Sequence, residues 1–177
     1  MGPSMHVDFA SLLRALEETI IPALPAFESL AVEQAHLMRL YLQRLDQQSE
    51  YFLHAKLHEL KGWFRLLGEL RTIAAGAFGS NAEEELLQKA AVLAAVELPS
   101  YQEVEQIVDA LGELAEEYSR HLVLATHGEK TRGPIHKVLM EHAVNEATRE
   151  RIWNKFMGFD ADSQSLPTLE SFFHSEV

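Results

Sequence analysis

An apolar stripe in the middle of the chain limits what this protein can fold into. Its members recur at i, i+4, i+7, i+11 and i+14, and they are Leu53, Leu57, Leu60, Phe64 and Leu67. This spacing is the 3.6-residue period of an amphipathic helix, whereas a half-buried strand alternates with a period of two. No convincing alternation of that kind occurs along the sequence. The sequence therefore predicts an all-α fold, an up-and-down helical bundle with short connections.

A second stripe on the same predicted helix carries histidine and basic side chains. His54, His58, Lys61 and Arg65 fall at i, i+4, i+7 and i+11. At about 100° per residue, this basic stripe lies roughly a quarter turn from the apolar stripe. It is electropositive in a chain whose formal net charge is -12. This local positive charge in an acidic protein predicts an anionic ligand, either a phosphoryl group or the carboxylates of a partner.

A glycine interrupts this helix one turn after His58. Gly62 shares a helical face with His58, and a glycine inside a helix costs roughly 1 kcal/mol relative to alanine. The missing side chain would let another molecule approach His58, or alternatively let a neighbouring helix pack closely. Among the flanking residues, Phe64 belongs to the apolar stripe and Trp63 is expected to pack elsewhere or to be exposed. Glu59 is expected to point away from the basic stripe and to stay solvated.

Composition excludes several classes of protein. A chain of 177 residues fits one domain with a proper core, and the absence of cysteine excludes disulfides and thiolate chemistry. The excess of acidic residues argues against a general nucleic-acid binder, because phosphate contacts need clustered Lys and Arg. No apolar run approaches the roughly 20 residues that span a bilayer, and no signal segment is evident, so we expect a cytoplasmic protein with no membrane partner.

The chain is expected to form a single helical-bundle domain over residues 5–160. Residues 1–4 read as a cloning remnant, and residues 161–177 read as a C-terminal tail with weak helical potential. Ser80 and Glu83 have the spacing of a capping box that opens a helix ending before residue 99. A polar turn is expected at 127–133, with Pro134 starting a last helix that ends near residue 157. That last helix is expected to pack on the bundle, and dimerisation or partner docking is its alternative role.

The pattern His58-x-Leu60-Lys61-Gly62, followed by Leu67-Gly68, resembles the histidine-containing phosphotransfer domain of multistep phosphorelays. Together with the helix-turn-helix layout of residues 30–75, the resemblance spans roughly a quarter of the chain. It implies a four-helix core, to which the helices at 80–98 and 134–157 are additions. It also implies that Leu67-Gly68 ends the histidine helix.

The resemblance implies a function as well as a fold. His58 would accept a phosphoryl group from a receiver-domain aspartate, and Lys61 would stabilise the phosphoryl charge. Gly62 would admit the receiver, and Arg65 and His54 would belong to the surface on which it docks. The partners implied are a response-regulator receiver domain and a hybrid histidine kinase. No cofactor is expected in this chain, because the receiver would supply the divalent metal, and no phosphate-binding loop indicates a kinase activity of its own.

Two other functions remain open from the residues. One is a non-catalytic helical interaction module, which the large side chains of Trp63 and Phe64 favour. The other is a hemerythrin- or ferritin-like metal bundle, which a set of helical Glu and His pairs suggests. These pairs are Glu33 with His36, His54 with His58, Glu117 with His121, and His142 with Glu146. Only the first has the Glu-x-x-His spacing of di-iron bundles, which those proteins need twice.

Overall fold

The computed structural model describes residues 5–25, 27–74, 80–125, 129–155 and 161–174. These residues form helices and connecting turns, and none of them lies in a strand. The helices are α1 (Met5–Ala15), α2 (Ile21–Ala23), α3 (Ser29–Gln48), α4 (Phe52–Ala74), α5 (Asn81–Ala95), α6 (Tyr101–Ala125), α7 (Glu129–Trp153) and α8 (Leu169–His174). A π-helical turn, Leu16–Ile20, joins α1 to α2, and a short 3-10 helix, Ser163–Ser165, precedes α8. The predicted all-α helical bundle is confirmed. Within the described ranges, every helix is too short or too polar to cross a membrane.

Contacts divide the chain into two compact units, Met1–Phe52 with Arg151–Val177 and Leu53–Glu150. In the first unit, the buried amide of Gln48 accepts a hydrogen bond from Arg44 Nε at 3.1 Å and donates one to the Trp153 carbonyl at 2.6 Å. The ring of Phe173 in α8 packs between Tyr51 and Trp153, with ring centroids 6.1 and 6.4 Å away. The segment predicted as a tail therefore contains a short helix with a buried aromatic anchor.

The second unit has its core along α6. The buried residues of α6 follow a helical period, and they are Val104, Val108, Leu111, Leu114, Ala115, Tyr118 and Leu122. The other helices of the unit add Leu60, Leu66, Leu67, Leu70, Ala90 and Ile135 to this cluster. Burial of these leucine and valine side chains is the main stabilising contribution, at roughly 1.5–3 kcal/mol for each large apolar side chain.

The buried face of α4 differs from the predicted apolar stripe. Phe64 is 42% exposed, so its assignment to the core was wrong, and Trp63 packs against the core instead. The predicted apolar stripe extended to Leu57, the member farthest from Trp63 around the helix. It omitted Leu66 and Leu70, which are buried and lie on the side of Trp63 away from the stripe. At about 100° per residue, the buried face is rotated by roughly a quarter turn from the stripe and is centred on Trp63.

Helix α4 does not end at Leu67-Gly68, as the family resemblance implies. It continues to Ala74, because Leu70 is fully buried and Ile73 packs against the same core. An added Cβ at Gly68 would meet nothing within 4 Å. Gly68 is therefore an exposed helical residue, and the burial of the following turn holds it in the helix.

The N-terminus of α5 is fixed by the predicted capping box. Ser80 Oγ accepts a hydrogen bond from the Glu83 amide, and Glu83 Oε2 accepts one from the Ser80 amide at 2.7 Å. The Tyr118 hydroxyl of α6 donates to the same Oε2 at 3.0 Å. Burial and the Glu83 carboxylate raise the pKa of Tyr118 to about 12. One carboxylate thus caps α5 and joins it to α6.

The prediction that Pro134 starts the last helix was wrong. Helix α7 begins at Glu129, so Pro134 lies inside it and residues 129–133 are helical rather than a polar turn. Residues 127–128 and the predicted end near residue 157 lie outside the described residues. Ile135, which follows Pro134, is only 2% exposed and belongs to the core. Its burial offsets the loss of the backbone hydrogen bond that the proline cannot donate.

Candidate functional site

Helix α4 carries the basic stripe on the side opposite to much of its buried face. His54, Lys61 and Arg65 are exposed, and His58 is partly buried. Within the described ranges, neither Lys61 nor Arg65 forms a hydrogen bond or an ion pair. Two cationic side chains are therefore available to an anion on the turns that follow His58.

These cations line part of an open groove with a volume of about 1050 Å³. Residues of α4, α5 and α7 line it, with Phe64, Ile73 and Val138 among its apolar members. Lys61 and Arg65 lie at one part of its lining. The exposed side chain of Phe64, which the sequence pattern placed in the core, is thus part of a mostly apolar surface that adjoins the basic stripe.

Gly62 faces α7. A Cβ built on Gly62 would lie 3.5 Å from Glu146 Oε1 and 3.7 Å from His142 Cε1, and both distances are ordinary van der Waals contacts. The phosphotransfer hypothesis leaves the Gly62 side of α4 open to a receiver. In the structure, that side contacts α7, a helix of the same unit. The position has room for a Cβ, but a longer side chain would meet His142 and Glu146.

A group of charged side chains joins α7 to α4 beside this contact, and we call Lys56, Glu59, Glu146 and Arg149 the latch. Arg149 Nη1 lies 3.4 Å from Glu59 Oε2, an ion pair without hydrogen-bond geometry, and Arg149 Nη2 lies 2.9 Å from Glu146 Oε2. Lys56 Nζ donates to Glu59 Oε2 at 3.1 Å. The Arg149 side chain is only 11% exposed, so its charge is poorly screened by solvent.

His142 lies between this latch and the core. Its ring centroid is 4.5 Å from that of Trp63, at an interplanar angle of 44°. Its Nε2 atom is buried and has no hydrogen-bond partner among the described residues. Burial lowers the pKa of His142 below its ordinary value of 6.5, and the charges of Arg149 and Arg65 lower it further, against the opposing charge of Glu59. A neutral imidazole therefore packs on Trp63 near pH 7.

Burial acts on Glu146 in the opposite direction. It raises the pKa of the Glu146 carboxyl above its ordinary value, against the opposing charge of Arg149, and the charge of Glu59 adds to the rise. Glu59 and Glu146 thus repel each other from opposite helices. Arg149 is the cation that both of them contact.

Sequence reasoning missed the latch. Glu59 was expected to stay solvated, but its side chain is 20% exposed and forms ion pairs with Lys56 and Arg149, so that prediction was wrong. The spacing of Glu146 and Arg149 at i and i+3 is a visible signal of an ion pair on α7. Lys56 and Glu59 have the same spacing on α4. The pairing of Glu59 with Arg149 has no such signal, because a contact between two helices leaves no periodic trace in either sequence.

The pairs proposed as metal ligands do not assemble within the described part of the chain. No three His, Asp or Glu side chains there are grouped so that they could hold a metal ion. His121 Nδ1 lies 3.9 Å from Glu117 Oε1 on an exposed helix surface, and Glu33 and His36 are exposed on α3. His142 and Glu146 share a face, as the sequence indicates, but that face contacts Gly62.

The chain matches no family model, and no curated protein or solved structure is significantly similar to it. The residues of α4 and α7 are therefore the basis for proposing a function.

The contact at Gly62 predicts different outcomes for a small and a large substitution. Gly62→Ala should leave the free energy of unfolding unchanged or raise it by up to about 1 kcal/mol, because the added Cβ fits and alanine favours the helix. Gly62→Gln should lower it by roughly 1–3 kcal/mol, because the longer side chain overpacks the contact with His142 and Glu146. The matched control is Gly68→Gln, at an open position of the same helix. Urea unfolding of the three variants measures these effects, and a Gly62→Gln protein as stable as Gly68→Gln would contradict the contact.

The lowered pKa of His142 predicts how the stability of the second unit depends on pH. The folded unit binds the His142 proton less readily than the unfolded chain does. The stability that the neutral imidazole contributes is therefore present above about pH 6.5 and is lost as the pH falls below that value. Glu146 acts in the opposite sense, because a raised carboxyl pKa favours the folded state at low pH.

Unfolding free energies at about pH 7.5 and about pH 5.5 test this dependence within the range where histidine titrates. The decrease on acidification should be smaller in His142→Gln than in the natural chain. His136→Gln, an exposed substitution on the same helix, should keep the full decrease. Equal decreases in the three proteins would show that His142 is not held in its neutral form.

Proposed function

We propose that this chain is a histidine phosphotransfer protein, with His58 as the phosphoryl acceptor in a multistep phosphorelay. The observation that carries the proposal is the order of groups along one helix. His58 is followed at one-turn intervals by Lys61 and Arg65, which are exposed and unpaired among the described residues. The resemblance of His58-x-Leu60-Lys61-Gly62 to the phosphotransfer motif assigns a reaction to that order.

The proposed reaction moves a phosphoryl group between an aspartate and a histidine. A ring nitrogen of neutral His58 attacks the phosphorus of a receiver's aspartyl phosphate with its lone pair. The N–P bond forms as the P–O bond breaks, and the aspartate leaves as a carboxylate. Lys61 and Arg65 counter the negative charge of the phosphoryl oxygens during the transfer. In this proposal the receiver supplies the divalent metal, and this chain needs no cofactor and has no kinase activity.

The direction from which a receiver approaches follows from the arrangement on α4. Helix α7 contacts Gly62, whereas Lys61 and Arg65 face the open groove together with Phe64. We therefore expect a receiver to reach His58 from the side of Lys61, with His54 and Arg65 at the edges of the docking surface. Gly62 would enter that surface only if α7 moved away.

The proposed partners are a receiver domain and a hybrid histidine kinase in the cytoplasm. The acidic balance of the chain argues against nucleic acid as a partner, since the basic stripe is a small cationic area in a protein of net charge -12. A homodimer through the C-terminal helix remains an alternative role for α7.

A specific observation favours the second candidate, a non-catalytic module that docks a receiver or kinase without accepting phosphate. His58 is partly buried, and α7 contacts the glycine that the phosphotransfer motif would leave open. A protein of this kind would retain the docking surface beside Lys61 and lose transfer. Binding and transfer assays on the same receiver separate the two functions.

We predict that His58 is the sole phosphorylated residue. The purified chain would be incubated with radiolabelled receiver domains that have been charged with acetyl phosphate, and separately with phosphoramidate as a receiver-independent donor. Both treatments should give an acid-labile phosphoprotein, His58→Gln should give none, and Lys61→Ala should slow transfer. His136→Gln is the matched control, because it removes an exposed histidine of α7 outside the docking surface and leaves the acceptor.

Undiminished labelling of His58→Gln would refute the assignment of the acceptor. A receiver that binds the natural chain tightly but never transfers phosphate would favour the docking module instead.

A further inference from the structure

The ends of α7 and its middle are held in different ways. In its first half, Ile135 is buried in the core, and Val138 and Leu139 pack against it. At its last turn, Ile152 is buried, and the Trp153 ring lies 5.5 Å from that of Phe52 at the start of α4. The middle of α7, which faces Gly62, contacts α4 through His142, Glu146 and the latch.

Arg149 is the cation that pairs with both carboxylates of the latch. Glu59 on α4 and Glu146 on α7 carry the same charge, and Arg149 lies within 3.4 Å of the first and 2.9 Å of the second. Its Nη2 also donates to Glu150 at 3.1 Å. Without the guanidinium, two partly buried carboxylates would face each other across the helix contact. Lys56 would still neutralise Glu59 on α4, but no cation would pair with both carboxylates, so the attraction between the two helices would be weakened.

The contact also contains an unfavourable element. The buried Nε2 of His142 lacks a hydrogen bond to any described residue, although buried polar atoms in folded proteins are nearly always paired. Opening the contact would return this atom to water. The unpaired atom therefore reduces the free energy that is needed to open the contact. A contact that opens during function requires such a small difference between its closed and open arrangements.

We propose that the middle of α7, from His142 to Arg149, is an autoinhibitory clasp. It covers the Gly62 side of the histidine helix, is held closed by the pairing of Arg149 with Glu59, and opens to expose that side when a receiver docks. This inference rests on the proposed phosphotransfer function and names its regulation. It accounts for the position of α7 beside the glycine that follows the acceptor by one turn.

The experiment compares the natural chain with Arg149→Gln, which removes the cation of the latch. Closure would be measured by the reaction of diethyl pyrocarbonate with His142, resolved by mass spectrometry and normalised to the exposed His136 on the same helix. The normalised rate for His142 should rise by at least about fivefold in Arg149→Gln, because the open population increases. Phosphotransfer from a charged receiver should accelerate by at least about threefold, as the competent fraction grows.

Two further variants make the test specific. Glu59→Gln breaks the same pair from the α4 side and should reproduce both effects, even if Arg149→Gln fails to fold. Arg120→Gln removes an exposed guanidinium of α6 that pairs with Glu116, and it should change neither rate. Circular dichroism would show that each protein retains its helices.

The outcomes separate this inference from the function on which it rests. An unchanged His142 rate in folded Arg149→Gln and Glu59→Gln would overturn the clasp. A raised His142 rate with unchanged transfer would also overturn it, because the contact would then not control the acceptor. Absence of transfer in every protein, the natural chain included, would instead overturn the phosphotransfer proposal and with it any role of the clasp in transfer.

Discussion

The ion pairing of Arg149 with Glu59 and Glu146 is the interaction on which the arrangement of the candidate site depends. Both carboxylates are mostly buried and lie on different helices, and burial raises the pKa of Glu146. Desolvated carboxylates that face each other repel strongly, so a shared cation stabilises the contact between the two helices. Burial lowers the pKa of His142, the same guanidinium lowers it further, and both favour the neutral ring that packs on Trp63.

Helix α4 contacts α5, α6 and α7 and still presents the basic stripe. The face centred on Trp63 packs into the core of α6, and Gly62 and Glu59 contact α7. Lys61 and Arg65 occupy what remains and stay exposed. Gly62 has room for a Cβ but not for a long side chain against α7. That contact is compatible with phosphotransfer if the covering helix opens, which is why regulation by α7 follows from the proposed function.

The sequence predicted those features that depend on residues close together in the chain. The helical period gave the all-α class, and Ser80 with Glu83 gave the start of α5. The position of Pro134 was misleading, because a preference for the first turn of a helix is weaker than the burial of Ile135. The phase of α4 was misjudged because its leucines spread over about half of the helix circumference, so that only the packing partner decides whether Phe64 or Trp63 is buried. The contact of Arg149 with Glu59 joins residues far apart in sequence and could not be predicted from one chain.

A double-mutant cycle tests the central claim that Arg149 holds α7 on the histidine helix through Glu59. The free energy of unfolding would be measured for the natural chain, Glu59→Gln, Arg149→Gln and the double variant. A direct pairing predicts a coupling energy of about 1 kcal/mol or more, so that the double variant is less destabilised than the sum of the single variants. Single effects that add to within about 0.3 kcal/mol would contradict the pairing and the account of the site built on it.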